Sequence, residues 1–215
     1  RQMCIRDSFK GFAPAFYRAP LDNDRNICKY WHTIGLQNTS NICKGSNFTD
    51  NGDNIVVTTN IKSIANCILP VANTQIKYTI YRNGNILVDV NCLGGGAVKL
   101  LPRFGVMLEM PKEYENIKYF GLGEDVNLPD YKEHTINKIY QTTVDKLKED
   151  YIKPQESATR CDVRFAEITN ASGFGLRFEA VNKPFIFSAS HYTSNQWAKA
   201  MHRDCLLYTS DAADD

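Results

Sequence analysis

The sequence has little charge imbalance and no long apolar run. Its 215 residues include 25 Lys and Arg against 24 Asp and Glu, which gives a formal net charge of +1. A charge this small creates no strong field toward nucleic acid or an anionic membrane. No apolar stretch approaches the ~20 residues that span a bilayer, and no secretory leader is visible. We therefore expect a cytoplasmic protein without a nucleic-acid or membrane partner.

Cysteine and histidine lack the spacing of metal ligands. The seven cysteines form no CxxC pair, and an odd number argues against a disulfide framework or a zinc site. The pattern is typical of buried thiols in a reducing compartment. The four histidines are far apart, and none stands out as a general base beside a Glu. We expect this chain to bind no metal and no cofactor.

Alternating β-strand patterns are abundant instead. Apolar and polar residues alternate in residues 75–81 and 85–91, which are separated by turn residues. A two-residue loop would put the two apolar sets on opposite faces of the hairpin. A three-residue loop that includes Gly84 pairs Ile80 with Ile86, so that both sets share one face. We therefore predict a bulged hairpin in which Gly84 has a positive φ.

Further runs of β-branched and aromatic residues have the length of strands. Together with the hairpin they predict an all-β fold, an antiparallel β-sandwich with short helical insertions. The predicted strands cover residues 54–61, 104–110, 117–122, 163–169, 175–180 and 185–190.

Two short helices are also predicted. Residues 26–34 carry apolar side chains at helical spacing, and Gly35 can cap the C-terminal end. Residues 193–201 open with the spacing of a capping box. Trp197 and Met201 share one face of this second helix. Packing of that face on the sheet is the preferred interpretation, and a sugar-stacking role for Trp197 is the alternative.

Four motifs occur in the order that one enzyme family shows. They are residues 16–26 (FYRAPLDNDRN), 101–105 (LPRFG), 119–124 (YFGLGE) and 154–164 (PQESATRCDVR). Through them the chain resembles the C-terminal small-chain domain, domain 5, of the lacZ-type β-galactosidases in glycoside hydrolase family 2. The resemblance implies a galactose-mutarotase-like supersandwich, which has two large packed antiparallel sheets, here truncated.

The resemblance also sets the expected domain boundaries. Residues 9–204 correspond to the small-chain β-sandwich domain, which is incomplete at its C-terminus. Residues 1–8 and 205–215 match nothing in the family and resemble translated sequencing adapter. We predict that both are non-native tails. The alternative is a pair of native tails with little order.

The resemblance implies an accessory role in a glycosidase. In the family both catalytic glutamates stand on a central barrel that precedes this segment, so no catalytic residue is assigned here. We expect a fragment of a β-galactosidase that hydrolyses terminal non-reducing β-D-galactosides. This domain would buttress the barrel and shape the sugar pocket, and would be inactive in isolation. Its partner would be the catalytic barrel domain or large subunit. Magnesium and sodium are implied for the parent enzyme, which also binds the galactoside.

Two alternatives for the function stay open. The chain could be the small subunit of a heterodimeric β-galactosidase, which needs a partner chain. It could also be a stand-alone carbohydrate-binding or mutarotase-like domain. An upstream reading frame for a catalytic barrel would favour the fragment, and a start codon just before Phe9 would favour the small subunit.

Charged residues of the matched motifs are the candidate site residues. The resemblance places Asp24, Arg25 and Asn26 near the mouth of the barrel, as the rim of the substrate pocket. Asp22 favours a turn in which its side chain bonds nearby backbone amides. The other charges suit ion pairs that fix loops, because the planar fork of Arg meets carboxylates with two bonds. These structural residues are Arg18, Asp22, Arg103, Arg160, Asp162 and Arg164.

Overall fold

The computed structural model describes residues 10–202 and residue 206. The fold is mostly β, with 47% strand and 12% helix, and its sheets are antiparallel. The predicted all-β class with short helical insertions is therefore confirmed. No helix in the described part of the chain is long and apolar enough to cross a membrane.

The described residues form two compact units. The meander unit comprises Lys10–Arg18 and Asp22–Leu108. The C-terminal unit comprises Ala19–Leu21 and the described residues from Glu109 onward. The predicted tails lie outside the described residues except for Leu206. Their origin stays a prediction, as does the single domain over residues 9–204.

The meander unit contains two antiparallel sheets and one helix. Its elements are β1 (Lys10–Ala15), a 3-10 turn (Asp22–Asp24), α1 (Ile27–Thr33), a second 3-10 turn (Leu36–Asn38), β2 (Ser40–Asp50), β3 (Asn54–Ala65), β4 (Leu69–Tyr81), β5 (Ile86–Gly94) and β6 (Gly105–Glu109). The order of the larger sheet is β2-β3-β4-β5, and β1 pairs with β6. Each pair of neighbouring strands in the larger sheet is consecutive in sequence, so its connections are short.

The hairpin between β4 and β5 has the predicted register. Ile80 pairs with Ile86, and Gly84 has a φ of +86°. The Gly84 N–H donates to the carbonyl of Tyr81 at 3.0 Å, and the Tyr81 N–H donates to the carbonyl of Asn85 at 2.9 Å. These bonds enclose a three-residue loop, which confirms the bulged turn. Ile86 nevertheless remains 55% exposed, so the shared apolar face is only partly covered near the turn.

Helix α1 ends where the sequence predicts. Trp31 turns into the protein and is only 2% exposed. Gly35 follows the helix with a φ of +70°, as expected of a glycine cap. A Cβ at Gly35 would overlap the side chain of Asn66. The position therefore excludes a side chain both by its backbone conformation and by lack of space.

The C-terminal unit holds two further sheets. Its elements are β7 (Asn116–Leu122), β8 (Asn137–Thr143), α2 (Val144–Leu147), β9 (Thr159–Val163), β10 (Phe165–Thr169), β11 (Gly175–Glu179), β12 (Phe185–Ser188) and α3 (Ser194–Lys199). One sheet has the order β11-β10-β7-β8, and the other pairs β12 with β9. Apolar side chains from both sheets and from α2 form its core, including Ile117, Tyr119, Leu147, Val163, Ala166 and Phe187.

The prediction of one strand over residues 163–169 is wrong. The chain bends at Arg164, between β9 and β10. Within β9, Asp162 has a φ of +53°, a conformation that Asp tolerates better than most residues. The Arg164 N–H donates to the carbonyl of Phe120 at 2.8 Å. Strand β9 before this point pairs with β12, and β10 after it pairs with β7 and β11. Both strands place apolar side chains in the core, so the apolar pattern resembles that of one strand. Their hydrogen-bond partners, however, belong to two different sheets.

Helix α3 begins with the predicted capping box. The Thr193 side chain accepts from the Gln196 N–H, and the Gln196 side chain accepts from the Thr193 N–H. Trp197 is buried beside Ala19, Ala200 and Leu206, which confirms that it is a buried packing residue. The neighbours in this cluster lie outside the strands, so the predicted packing on the sheet is not what buries it. The prediction that Met201 packs on the same face is wrong. The helix ends at Lys199, the backbone becomes extended at Ala200, and Met201 is 68% exposed.

The cysteines are less buried than the sequence predicts. The five described cysteines are free thiols. Cys161 is buried, but Cys43 and Cys67 are exposed. Cys43 lies on the exposed edge strand β2, and Cys67 lies in the turn between β3 and β4. The prediction that most cysteines are buried is therefore wrong.

Candidate functional site

The predicted rim residues lie on one turn between β1 and α1. Asp22–Asp24 form a 3-10 turn, and Asn26 precedes α1 with a right-handed backbone, φ −84° and ψ −39°. The side chains of Asp22, Arg25 and Asn26 are exposed, and Asp24 is half-buried. The turn thus presents Arg25 and Asn26 to solvent, and both carry groups that can hydrogen-bond to sugar hydroxyls.

Arg18 closes this turn with an ion pair. Its Nη1 and Nη2 donate to the two carboxylate oxygens of Asp24 at 2.6 and 3.2 Å. The two side chains are only 17% and 13% exposed, so the pair is screened less than a surface pair. The Arg18 guanidinium also lies 5.7 Å from the centroid of the Trp31 ring. A two-bond fork and a cation–π contact therefore hold the turn against α1.

Tyr17 contributes a second contact to α1. Its hydroxyl lies 3.3 Å from Nε2 of His32, and the residue is 8% exposed. Burial raises the pKa of the Tyr17 hydroxyl, with a smaller contribution from Cys28 in the same direction. Tyr17 therefore stays a neutral phenol that fixes the helix.

In the C-terminal unit, Arg160 anchors a loop from the core. It is 1% exposed. Its guanidinium donates to the carbonyls of Thr159 (3.0 Å), Glu124 (2.7 Å) and Leu147 (3.1 Å). Its Nε is buried and has no hydrogen-bond partner among the described residues. Arg160 thus donates to neutral backbone carbonyls and links segments that are distant in sequence.

Asn127 fixes the same loop from inside. Its amide nitrogen donates to the carbonyls of Leu122 and Asp125 at 3.1 and 3.0 Å. Its amide oxygen accepts from the Cys161 N–H at 2.6 Å. Asn127 is fully buried, and these bonds satisfy its polar atoms. Residues 122–127 are therefore held rigidly against β9.

The remaining predicted charges are spread over the surface. Asp162 accepts from Lys132 Nζ at 2.9 Å, and this carboxylate raises the pKa of the Lys132 ammonium. Arg164 is exposed and Arg103 is half-buried. Within the meander unit the structure thus pairs Arg18 with Asp24, and within the C-terminal unit it pairs Asp162 with Lys132.

Several structural residues were not among the predicted site residues. The Trp31 ring lies under the Arg18 guanidinium. Its place among the apolar residues of α1 was the sequence signal that could have identified it as a packing residue. Asn127 and Tyr119 fix the loop after β7, and the Tyr119 hydroxyl donates to the carbonyl of Gly123. No spacing rule could identify Asn127, because its partners are backbone atoms brought together only by the fold.

Comparison with known proteins places the chain in a family. The family profile described as "Beta galactosidase small chain" matches residues 2–211. The chain belongs to the β-galactosidase small-chain family. Among proteins similar to it is the β-galactosidase of Staphylococcus xylosus, 28% identical over 190 residues, which are 88% of this chain and 19% of that protein. The β-galactosidase of Lactobacillus delbrueckii subsp. bulgaricus is 31% identical over 192 residues, 87% of this chain and 18% of that protein.

A third relative matches a somewhat shorter part of this chain. The β-galactosidase BgaC of Bifidobacterium adolescentis is 31% identical over 168 residues, 76% of this chain and 16% of that protein. This chain therefore spans less than a fifth of the length of each of these relatives.

Proposed function

We propose that this chain is the accessory small-chain portion of a family 2 β-galactosidase and corresponds to domain 5 of that enzyme. The parent enzyme would hydrolyse terminal non-reducing β-D-galactosides in the cytoplasm. The observation that carries the proposal is the small-chain match over residues 2–211, within relatives that are each several times longer. The proposal includes the supersandwich as the complete fold of the domain.

The proposed role is to support the catalytic barrel and complete the rim of its sugar pocket. A retaining glycosidase needs two carboxyl groups about 5–5.5 Å apart, and the proposal assigns both to the barrel. The turn at Asp24–Asn26 supports the rim role, since the Arg18 fork fixes it while Arg25 and Asn26 remain exposed. Asp24 would act mainly by positioning the turn, because its carboxylate is bound to Arg18.

Magnesium and sodium belong to the proposed parent enzyme. Within residues 10–202 and 206, no three His, Cys, Asp or Glu side chains form a cluster that could hold a metal ion. No step is derived through either ion. A separate small subunit or a stand-alone sugar-binding domain gains no support from these relatives, since each contains the matched segment within a longer chain.

The test is a chimaera with a full-length relative. Residues 10–202 would replace the matched segment of the S. xylosus β-galactosidase, and hydrolysis of a nitrophenyl β-galactoside and of lactose would be measured. We expect an active chimaera in which Arg25→Ala or Asn26→Ala changes KM or kcat at least about threefold. Thermal stability should stay nearly unchanged, since such surface changes usually cost under about 0.5 kcal/mol.

Matched controls separate the rim from the general surface. Lys77→Ala and Asn91→Ala remove exposed side chains of the meander sheet and should leave the kinetics within about twofold. Normal kinetics in both rim variants would reject the rim role. The purified 215-residue chain should not hydrolyse the galactosides. Hydrolysis that a mutation within the chain abolishes would reject the accessory role.

A further inference from the structure

A cavity of about 370 Å³ opens in the C-terminal unit, between the segment after α2 and helix α3. This aromatic cavity is lined by Tyr151, Pro154, Tyr192, Trp197 and Leu206. Charged side chains from residues 145–150 also line it. Its volume is near the lower end of the range for ligand pockets, about 300–1,000 Å³. The size suits one sugar ring better than an oligosaccharide.

Its aromatic walls are held in fixed orientations. Tyr192 and Trp197 meet edge to face, with ring centroids 5.6 Å apart and an interplanar angle of 84°. The Trp197 indole N–H donates to the Ser190 hydroxyl at 3.0 Å, so this donor needs no ligand. Tyr151 is 39% exposed. The cavity therefore combines a rigid apolar floor with an aromatic ring accessible at its edge.

The cavity is lined by charges of both signs, including the ammonium groups of Lys146 and Lys148. Three carboxylates line it, from Asp145, Glu149 and Asp150, and they would repel an anion. The Lys148 ammonium binds Asp145 at 2.8 Å and lies 5.7 Å from the centroid of the Tyr192 ring. Because Lys148 already stands over that ring, it would repel a cationic ligand there. A neutral molecule with many hydroxyl groups is repelled by neither set and can bond to both.

A larger groove in the same unit lacks this combination. Its volume is about 660 Å³, and polar side chains such as Lys118, Gln141 and Glu167 line it. The tyrosines at its wall, Tyr119 and Tyr140, are 1% and 9% exposed. The groove therefore offers no accessible ring face on which the apolar side of a sugar could stack.

We propose that the aromatic cavity binds a single neutral pyranose. The apolar CH face of the sugar packs on the accessible ring of Tyr151, which lies in the same cavity wall as the buried Trp197; such ring contacts favour apolar faces. Its hydroxyl groups bond to the carboxylates and ammonium groups at the mouth. This binding needs no catalytic barrel, so it can be measured on the 215-residue chain and can fail or succeed independently of the accessory role.

The test is a titration of the full chain with methyl β-D-galactopyranoside. The chain has two tryptophans, so an ¹⁵N-labelled sample gives two indole signals, which Trp197→Phe assigns. We expect the Trp197 indole to shift in a saturable way with millimolar affinity, while the Trp31 indole stays in place. Tyr151→Ala should weaken binding about tenfold, the effect of removing an aromatic contact of average strength.

Controls make each outcome decisive. Tyr131→Ala removes another exposed tyrosine, 61% accessible, and should change the affinity by less than about twofold. Asp150→Asn, at the exposed mouth, serves as the second variant if Tyr151→Ala loses its folded circular dichroism spectrum, and should weaken binding about threefold. The absence of a saturable shift at Trp197 would overturn the proposal. So would equal weakening by Tyr131→Ala, or equally tight binding of cyclohexanol, galacturonate or galactosamine.

Discussion

Arg18 and Arg160 both fix loops, but they do so with different partners. Arg18 is partly accessible and binds a carboxylate, that of Asp24. Arg160 is almost completely buried and binds three backbone carbonyls. The Arg18–Asp24 pair joins two side chains, so a mutation can remove either partner alone. The second arginine couples distant parts of the backbone, and it holds the loop together with Asn127.

This difference predicts unequal costs of removal. A carboxylate that loses Arg18 can turn toward water, because it lies near the surface. The Leu147 carbonyl would stay buried without its Arg160 donor, which costs about 1–3 kcal/mol for a group that water cannot reach. The Thr159 carbonyl would keep its bond from the Asn127 N–H. Burying the Arg160 charge therefore costs more desolvation free energy, and removing that side chain should destabilise the fold more than removing Arg18.

Replacement of Arg160 should have the largest effect. We expect Arg160→Met, which keeps much of the side-chain volume, to lower the free energy of unfolding by about 3–5 kcal/mol. Urea unfolding followed by circular dichroism measures this loss. Arg164→Met, at an exposed arginine, is the control and should cost less than about 0.5 kcal/mol. A loss below 1 kcal/mol for Arg160→Met would show that water replaces the guanidinium, which contradicts the core anchor.

Replacement of Arg18 should have an intermediate effect. A double-mutant cycle of Arg18→Met and Asp24→Asn should give a coupling energy of about 1–2 kcal/mol, above the range for exposed pairs. The coupling should decrease in high salt. As a comparison, the cycle of Arg177→Met and Glu167→Gln addresses a more exposed ion pair and should give less than about 1 kcal/mol. Equal couplings in both cycles would remove the distinction between the two positions.

The smallest effect concerns the pH dependence near Arg160. Burial raises the pKa of the Tyr119 hydroxyl, and the nearby Arg160 charge opposes part of that increase. A raised pKa in the folded state gives stability that is complete below the ordinary value of 10.0 and decreases as the pH rises above it. The loss cannot exceed about 1.4 kcal/mol per pH unit for one proton. Tyr119→Phe should therefore flatten the decrease of unfolding free energy above pH 10, measured against Tyr131→Phe. An unchanged slope would contradict a buried neutral phenol.

Much of the fold follows from local sequence signals. The Gly84 turn and the Gly35 cap each depend on residues a few positions apart, so the local sequence is enough to predict both. Strand β2 escaped prediction because all its residues are exposed and no face shows an apolar pattern. The break between β9 and β10 was not predicted because apolar residues stand on both sides of Arg164, and the change of hydrogen-bond partners leaves no mark in that pattern.

The candidate site was less accessible to sequence reasoning. The matched motif singled out Arg18 and Asp24, but their ion pair depends on the 3-10 turn that brings them together. The Asn127 network has no pattern at all, since its acceptors are carbonyls of residues with unrelated side chains. The aromatic cavity joins residues 145–154 to residues 192–206, and only the tertiary fold makes them neighbours.

The pairing of β1 with β6 has a consequence for the order of folding. The strands of the larger meander sheet are joined by short turns, and their contacts close small loops. The pair β1–β6 joins residues 10–15 to residues 105–109, so it encloses the entire meander in one loop. The entropy lost on closing a loop rises with its length, and contacts distant in sequence slow folding. The prior formation of the meander would shorten the flexible part of that loop. We therefore expect the β1–β6 pairing to form last in this unit.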